Sequence, residues 1–148
     1  MKIIIDGNPI PKARHKTSRY STYDPQHVKK EETFWEMRSQ ALSISKENPL
    51  ALQVLNGPLM MHIIFFMQAP YSYTDRKRES LYGQPHHKKP DLSNLIKFYE
   101  DCANTILYKD DAQICKIEAQ KIYDKKPRTE ITISQFIVPK VKQLQNEK

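Results

Sequence analysis

The alternation of apolar and polar residues along the chain predicts four strands and two long helices. Residues 1–6 (MKIIID) are expected to form the first strand, which ends at the turn residues Gly7-Asn8-Pro9. Residues 59–67 (LMMHIIFFM) have almost no polar alternation, which predicts a strand covered on both faces. The helices would cover one face. The other face would contact a partner subunit, unless the protein has a simple two-layer core closed by the first helix.

Residues 91–107 are the best-defined predicted helix, because apolar side chains recur there at about 100° per residue. The apolar stripe consists of Leu92, Leu95, Ile96, Tyr99, Cys102, Ala103 and Ile106. The opposite side is polar and carries Ser93, Asn94, Lys97, Asp101 and Asn104. An earlier helix is predicted to start with Asp24 as its N-cap and Pro25 at its first position, and to run to Ser45. Trp35, within this helix, is expected in the core.

The C-terminal part of the chain is expected to form a β-hairpin. Residues 112–123 are strand-like, Lys126-Pro127 marks a turn, and residues 129–138 alternate apolar and polar side chains. Residues 139–148 would form a frayed tail. At 148 residues, the chain is expected to fold as one domain with a hydrophobic core of its own.

Composition narrows the class of partner. The formal net charge is +7 and the pI is about 9.3, which favours a polyanion such as nucleic acid over an acidic metabolite. Cys102 and Cys115 are too few for a disulfide framework or a zinc site, and both are expected to be buried free thiols. No apolar run approaches the ~20 residues of a membrane span, and no secretory segment opens the chain. We therefore expect a cytoplasmic protein without membrane association.

Residues 69–90 show no clear period and predict a long loop. Loops of this length inside a compact domain are usually functional or disordered. Basic residues and tyrosines are interleaved here, a combination that suits phosphate contact together with base or sugar stacking. The alternative is a solvated, mobile loop. Adjacent histidines at His86-His87, without a nearby cysteine or a spaced histidine, are weak evidence for a transition-metal site.

Carboxylates flank the second predicted helix on both sides. Asp91 stands at its start, where the helix N-terminus favours a negative charge, and Asp110-Asp111 follow its end. Mg²⁺ prefers such hard oxygen ligands, and Lys97 is suited to stabilise negative charge developing on a phosphate. The two ends of a ~25 Å helix must converge through tertiary folding to form such a site. Taken singly, these residues could also be an N-cap, a polar turn and a solvated lysine.

Several strings of the chain resemble, in order and spacing, the RusA family of Holliday-junction resolvases. They are KPDLSNLIK, LYKDDAQI, the strand ending in KIYDKKPRTEITI and the opening GNPIPKARHK. The resemblance implies one small α+β domain over residues 1–138, with a mixed β-sheet, two main helices packed on it and a homodimeric state. It also implies a Mg²⁺-dependent endonuclease, with Mn²⁺ as a possible substitute. The substrate would be four-way junction DNA, cut by paired symmetric nicks during recombination and repair.

Carried over residue by residue, the resemblance implies that Asp91 and Asp111 bind the metal and that Lys97 assists at the phosphate. Asp110 pairs with Asp111 in the family's D-D-x-Q pattern, and Asp111 matches the essential acidic position better. We expect backbone contacts to DNA from the basic residues Lys12, Arg14, Arg76, Lys77, Arg78, Lys88 and Lys89.

One residue departs from the family pattern. Ser93 stands where a second aspartate is common, and a serine cannot supply a charged metal ligand. Asp110 or Asp101 would have to compensate, and Asp101 lies one turn beyond Lys97 on the same helix face. The departure favours an alternative function, a junction-binding protein with weak or no catalysis.

A restriction-type nuclease is a further alternative, using Pro90-Asp91 together with Glu118 and Lys121. That motif needs its acid and lysine two residues apart on one face of a strand. Glu118 and Lys121 are three residues apart and are expected to face opposite ways, so the sequence disfavours this interpretation.

Overall fold

A four-stranded mixed sheet carries the helices of the chain. In a computed structural model, the described residues are 1–17, 19–48, 55 and 57–138. The main elements are β1 (Lys2–Asp6), β2 (Lys16–Thr17), β3 (Thr22–Tyr23), α1 (His27–Glu47), β4 (Leu59–Met67), α2 (Asp75–Leu81), α3 (Leu92–Ala103), β5 (Ile114–Tyr123) and β6 (Arg128–Gln135). The predicted tail 139–148 and most of the connector before β4 lie outside the described residues.

The order of strands in the main sheet is β1-β6-β4-β5. β4 runs antiparallel to β6 and parallel to β5, and β1 pairs antiparallel with β6. The α+β fold class and the mixed sheet are therefore confirmed. The predicted hairpin of the last two strands is wrong, because β4 lies between β5 and β6. β4 is the most apolar strand, and a central position buries it, whereas the largely exposed β5 suits an edge.

One face of the sheet packs against α1 and α3. The buried core consists mainly of Ile3, Ile5, Met37, Met61, Ile63, Phe65, Leu95, Phe98, Tyr99, Ile131 and Ile133. On the other face of β4, Met60, His62 and Ile64 are only half-buried, and paired charges such as Lys2–Glu130 surround them. No element among the described residues covers this second face. The described chain is thus a two-layer structure.

α1 differs from the predicted first helix in its N-cap and in the side chains that it buries. It begins at His27 with Gln26 as its N-cap, and Asp24 instead accepts a hydrogen bond from the Gln26 backbone. Its buried residues are Thr33, Met37 and Ala41. Trp35 is 54% exposed, so its assignment to the core is wrong. Met37 is the only large apolar residue of the three, so hydrophobicity alone does not reveal this stripe.

Three further expectations need correction. α3 ends at Ala103, four residues early, where Thr105 takes a left-handed φ of 68°. The 69–90 segment contains a helix, α2, whose N-cap Thr74 accepts a hydrogen bond from the Lys77 backbone. Cys102 is buried as expected, but Cys115 is exposed because it lies on the edge strand β5.

No helix in the described ranges is long and apolar enough to cross a membrane.

Candidate active site

The polar face of α3 meets the turn that precedes β5. The Lys97 ammonium lies 3.6 Å from Asp111 Oδ2 and 3.7 Å from Asp101 Oδ1. Lys97 and Asp101 are neighbours on the helix at i and i+4, while Asp111 comes from the turn after the helix. Two of the sequence strings singled out above therefore converge in space.

The string Asp-Asp-Ala-Gln builds the turn that presents Asp111. Asp110 is the N-cap and accepts a hydrogen bond of 2.8 Å from the Ala112 backbone. The Gln113 side chain completes the capping box by accepting from the Asp110 backbone. Gln113 also donates to the carbonyl of Leu55 at 3.1 Å. Asp110 and Gln113 thus fix the turn, and Asp111 is the acid of the pair that contacts Lys97.

Asp101 is surrounded by lysines. It accepts a hydrogen bond of 2.7 Å from Lys12 Nζ and lies 3.7 Å from both Lys30 and Lys97. Lys30 in turn pairs with Asp24 at 2.6 Å. Because the Asp101 side chain is only 25% exposed, these contacts hold together the start of α1, the N-terminal segment and α3.

The N-terminal basic segment is fastened to both helices rather than free. The Lys12 backbone donates to the carbonyl of Asn94 at 2.8 Å. The Ala13 backbone donates to Gln26 Oε1 at 2.6 Å, and Gln26 returns a bond to the carbonyl of Pro11. These bonds leave Arg14 exposed at the edge of a cleft of about 350 Å³ beside α3.

Asp91 occupies the N-cap position of α3 but makes no side-chain cap hydrogen bond. Its side chain is exposed, and no ion pair involves it within the described part of the chain. The backbone that leads into it is held by Lys121, whose ammonium donates to the carbonyls of Lys88 at 2.7 Å and Pro90 at 2.6 Å. The N-terminus of α3 thus presents an acid without a protein partner.

Lys121 does not form a restriction-type pair with Glu118. Glu118 is exposed, lies on the other face of β5 and pairs with Lys116 at 2.8 Å. The opposite orientation expected from their spacing is confirmed.

The described carboxylates near α3 are spread out rather than clustered. Among the described residues, no group of three or more His, Cys, Asp or Glu side chains is arranged to hold a metal ion. Asp110 is engaged in its cap and Asp101 in its lysine contacts. Asp91 and Asp111 retain oxygens of the kind that Mg²⁺ prefers, and one or two carboxylates are the usual protein ligands of Mg²⁺ when waters and substrate phosphates complete its shell.

Glu100 is a neighbour of this site that sequence reasoning missed. It is half-buried on α3, three residues after Lys97. Burial raises the pKa of the Glu100 carboxyl, Lys97 lowers it, and the negative charges of Asp111 and Asp101 raise it further. Its position at i+3 from Lys97 is the signal that could have identified it.

The basic residues of the 69–90 segment are partly engaged with one tyrosine. The Lys77 ammonium lies 3.8 Å from the centre of the Tyr73 ring, and Lys88 donates a 2.8 Å hydrogen bond to the Tyr73 hydroxyl. That hydrogen bond, with the two lysine charges, lowers the pKa of Tyr73. Arg78 pairs with Asp75 within α2. The contacts to Tyr73 tether α2 to the segment that delivers Asp91.

The remaining predicted DNA contacts are exposed. Arg14, Arg76 and Lys89 lie at the surface, and no acidic side chain of the described residues pairs with them. These three side chains are accessible to an external anion.

Fold and site together define a basic α+β protein in which Lys97 and Asp101 on one face of α3 meet Asp111 from the turn before β5. The family model described as Endodeoxyribonuclease RusA matches residues 6–134. The chain is 34% identical over 93 residues to "Crossover junction endodeoxyribonuclease rusA" of Lactococcus phage r1t, covering 62% of this chain and 66% of that protein. It is 26% identical over 141 residues to "Uncharacterized protein YqaN" of Bacillus subtilis (strain 168), covering 90% of this chain and 94% of that protein. The chain belongs to the RusA endodeoxyribonuclease family, as its motifs indicated.

Proposed function

We propose that this protein is an endodeoxyribonuclease that resolves four-way DNA junctions by paired nicks and requires Mg²⁺, which Mn²⁺ can replace. Family membership supports the nuclease activity, and the name of the phage relative supports the junction substrate. The observation that carries the proposal is the contact of 3.6 Å between Lys97 and Asp111. This contact brings together an ammonium group from the motif KPDLSNLIK and a carboxylate from the motif LYKDDAQI.

Lys97 is suited to act on a phosphate. Its side chain is 47% exposed, and its two carboxylate contacts of 3.6 and 3.7 Å are longer than hydrogen bonds. The ammonium can therefore turn towards a phosphate oxygen and stabilise the negative charge that develops during cleavage. The proposed metal dependence rests on the chemistry of the Asp91 and Asp111 carboxylates alone.

We propose that the exposed basic residues that have no acidic partner among the described residues form the main contacts to DNA. Arg14, Arg76 and Lys89 would contact the phosphate backbone directly. Lys12, Lys77, Arg78 and Lys88, also predicted as contacts, already have partners in the chain and would bind DNA only by sharing or exchanging them. Affinity should accordingly fall as salt concentration rises.

The test is cleavage of a synthetic four-way junction, with a linear duplex as control substrate. We expect the unmutated protein to nick the junction with Mg²⁺ or Mn²⁺ and to be inactive with a chelator. Asp91→Asn and Asp111→Asn should still bind the junction but cleave it at least ~100-fold more slowly, as for loss of an essential charged group. Glu118→Ala, on the opposite face of β5, should cleave normally; loss of cleavage in this control would revive the restriction-type interpretation.

The alternative function is junction binding with weak or no catalysis. Ser93, which stands where the family pattern often has a second aspartate, favours it. A protein that binds the junction tightly but never nicks it with either metal would establish this alternative and refute the enzyme.

We further propose that the functional unit is a homodimer, since a two-fold dimer presents two equivalent sites to the two symmetric strands of a junction. The outer face of α1 offers a surface for a second copy. Val28, Trp35 and Leu42 are spaced seven residues apart, which places them on one line of the helix, and they are 64%, 54% and 51% exposed.

The α1 stripe is self-complementary. In an antiparallel pair of α1 helices with the two-fold axis at Trp35, facing residues have numbers that add up to about 70. Val28 then faces Leu42, and Glu31 lies opposite Arg38. Clefts of about 360 and 280 Å³ lie beside the stripe and share the Phe34 side chain as a wall. Apolar residues and opposite charges therefore meet their counterparts on a second copy.

A further inference from the structure

Lys121 makes a pair of contacts that the proposed chemistry does not use. It lies on β5, and its side chain reaches across to the segment that precedes α3. The ammonium donates hydrogen bonds of 2.7 Å to the Lys88 carbonyl and 2.6 Å to the Pro90 carbonyl. The two acceptors lie immediately before Asp91. Charge-assisted bonds of this kind are stronger than bonds between neutral groups.

The hydrogen bonds of Lys121 extend the pairing between β5 and the segment before α3 beyond its last backbone bond. The segment before α3 runs along β5 through three backbone bonds, from Gly83 N to Tyr123 O at 2.8 Å, Tyr123 N to Gln84 O at 3.0 Å and His86 N to Lys121 O at 2.9 Å. After His86 no further backbone bond to β5 follows within the described residues. Beyond that point, the Lys121 side chain binds the segment to β5 through the carbonyls of residues 88 and 90.

The position of Asp91 depends on this anchor. As N-cap of α3, Asp91 makes no side-chain cap hydrogen bond, and no other described residue hydrogen-bonds to its carboxylate. Its orientation follows from the path of the chain into the helix, because the core holds α3 itself in place through residues such as Leu95 and Phe98. Catalytic groups lose much of their effect when they are displaced by about 1 Å.

We propose that Lys121 is a positioning residue that sets the location of the Asp91 carboxylate for DNA cleavage, an inference that rests on the proposed function. Lys121 differs in this from Lys97. Among the described residues, the Lys97 ammonium has no acidic partner closer than 3.6 Å, whereas two of the three N–H groups of Lys121 are already bound to the protein.

The experiment compares Lys121→Met, which removes the donors, with Lys121→Arg, whose guanidinium can still donate to both carbonyls. Lys116→Met is the matched control, because Lys116 is an exposed lysine on the opposite face of the same strand. We expect Lys121→Met to lower kcat on the junction by about 100-fold with KM changed less than about threefold. Lys121→Arg should recover most of kcat, and Lys116→Met should match the unmutated protein.

Three results would overturn the proposal. A rise in KM with an unchanged kcat would make Lys121 a DNA contact. Failure of Lys121→Arg to recover activity, together with a lost limb of the pH–rate profile, would make it a proton donor or acceptor. Unchanged kcat and KM in Lys121→Met would remove its role altogether. If Lys121→Met does not fold, Lys121→Gln, which keeps donor capacity, replaces it and is expected to lie between Met and Arg in kcat.

A readout that does not need cleavage separates this inference from the proposed function. The amides of His86 and Leu95 flank the anchored segment and are hydrogen-bonded to the carbonyls of Lys121 and Asp91; their hydrogen exchange should accelerate in Lys121→Met but not in Lys116→Met, whether or not the protein cuts DNA. Accelerated exchange in a protein that never cleaves junctions would refute the nuclease and leave the anchor intact. Unchanged exchange would refute the anchor even if cleavage is lost.

Discussion

Neighbouring residues of one motif have different tasks in this protein. In the string Asp-Asp-Ala-Gln, Asp110 and Gln113 hydrogen-bond within the turn, and Asp111 faces Lys97. The family resemblance favoured Asp111 over Asp110 as the essential acid, and the geometry supplies a physical reason. A residue that caps a turn has its oxygen engaged, whereas its neighbour can act on a ligand.

Asp101, like Asp110, is engaged within the protein, because its carboxylate contacts three lysines. We predict that Asp101→Asn lowers the free energy of unfolding by about 1–3 kcal/mol, because a partly buried bond to a charged group is lost. Asp91→Asn should change it by less than about 0.5 kcal/mol, since Asp91 is exposed and uncapped. Urea denaturation measures both values. Full stability of Asp101→Asn combined with lost cleavage would instead identify Asp101 as the compensating acid at the site.

His86 provides a prediction about pH. It is buried, its Nδ1 has no hydrogen-bond partner, and its ring lies 4.6 Å from that of Tyr123. Burial lowers its pKa from the usual 6.5, and the nearby charges of Lys121, His87 and Lys88 lower it further. The folded state therefore favours the neutral ring. Its stabilising contribution is complete above pH 6.5 and is lost as the pH falls towards the lowered pKa.

We predict that His86→Phe reduces the loss of stability between pH 7.5 and about pH 5. Urea denaturation at several pH values measures this loss. The control His87→Asn, at the exposed neighbouring histidine, should retain the pH dependence of the unmutated protein. A His86→Phe protein that loses as much stability as the control would show that other groups cause the decline.

At the scale of elements, local periodicity located the strands and helices better than it located their partners. The position of β4 and most of the apolar stripe of α3 followed from their sequence patterns, although the fully buried Phe98 was missing from the predicted stripe. Local periodicity could not predict that β5 and β6 each pair with β4 instead of with each other. β4, which lies between them in the sheet, is more than 40 residues earlier in the chain. The anchor at Lys121 is equally non-local, since its acceptors lie some 30 residues away.

Each edge of the main sheet is covered in part by another segment of the chain, at Ile4 of β1 and at Lys121–Tyr123 of β5. At β1, the Gln40 side chain of α1 accepts from the Ile4 backbone at 3.0 Å and donates to its carbonyl at 2.6 Å. At β5, the segment from Gly83 to His86 occupies the outer edge. Covered edges disfavour association by strand pairing. The exposed stripe of α1 is therefore the better surface for a second copy.

At the scale of the whole molecule, the proposed substrate and the proposed dimer impose the same symmetry. A net charge of +7 per chain would oppose association unless local contacts compensate for the repulsion. The pairing of Glu31 with Arg38 across a two-fold axis supplies opposite charges where two basic chains would otherwise meet. The exposed Trp35, wrongly expected in the core, lies at the centre of this pairing and has the side chain most often found at interface hot spots.

We predict that the unmutated protein elutes at twice its chain mass of 17.4 kDa in size-exclusion chromatography with light scattering. Trp35→Ala should weaken the dimer by about tenfold or more, as expected for a central aromatic residue. Arg38→Glu alone should also weaken it, because two acidic residues would then face each other, and the double change Glu31→Arg with Arg38→Glu should restore it. Ser43→Lys, at an exposed position about 100° away from the stripe, serves as the control. Dimers that survive every α1 change would place the interface elsewhere, whereas dissociated variants should convert paired nicks in a junction into single, uncoupled nicks.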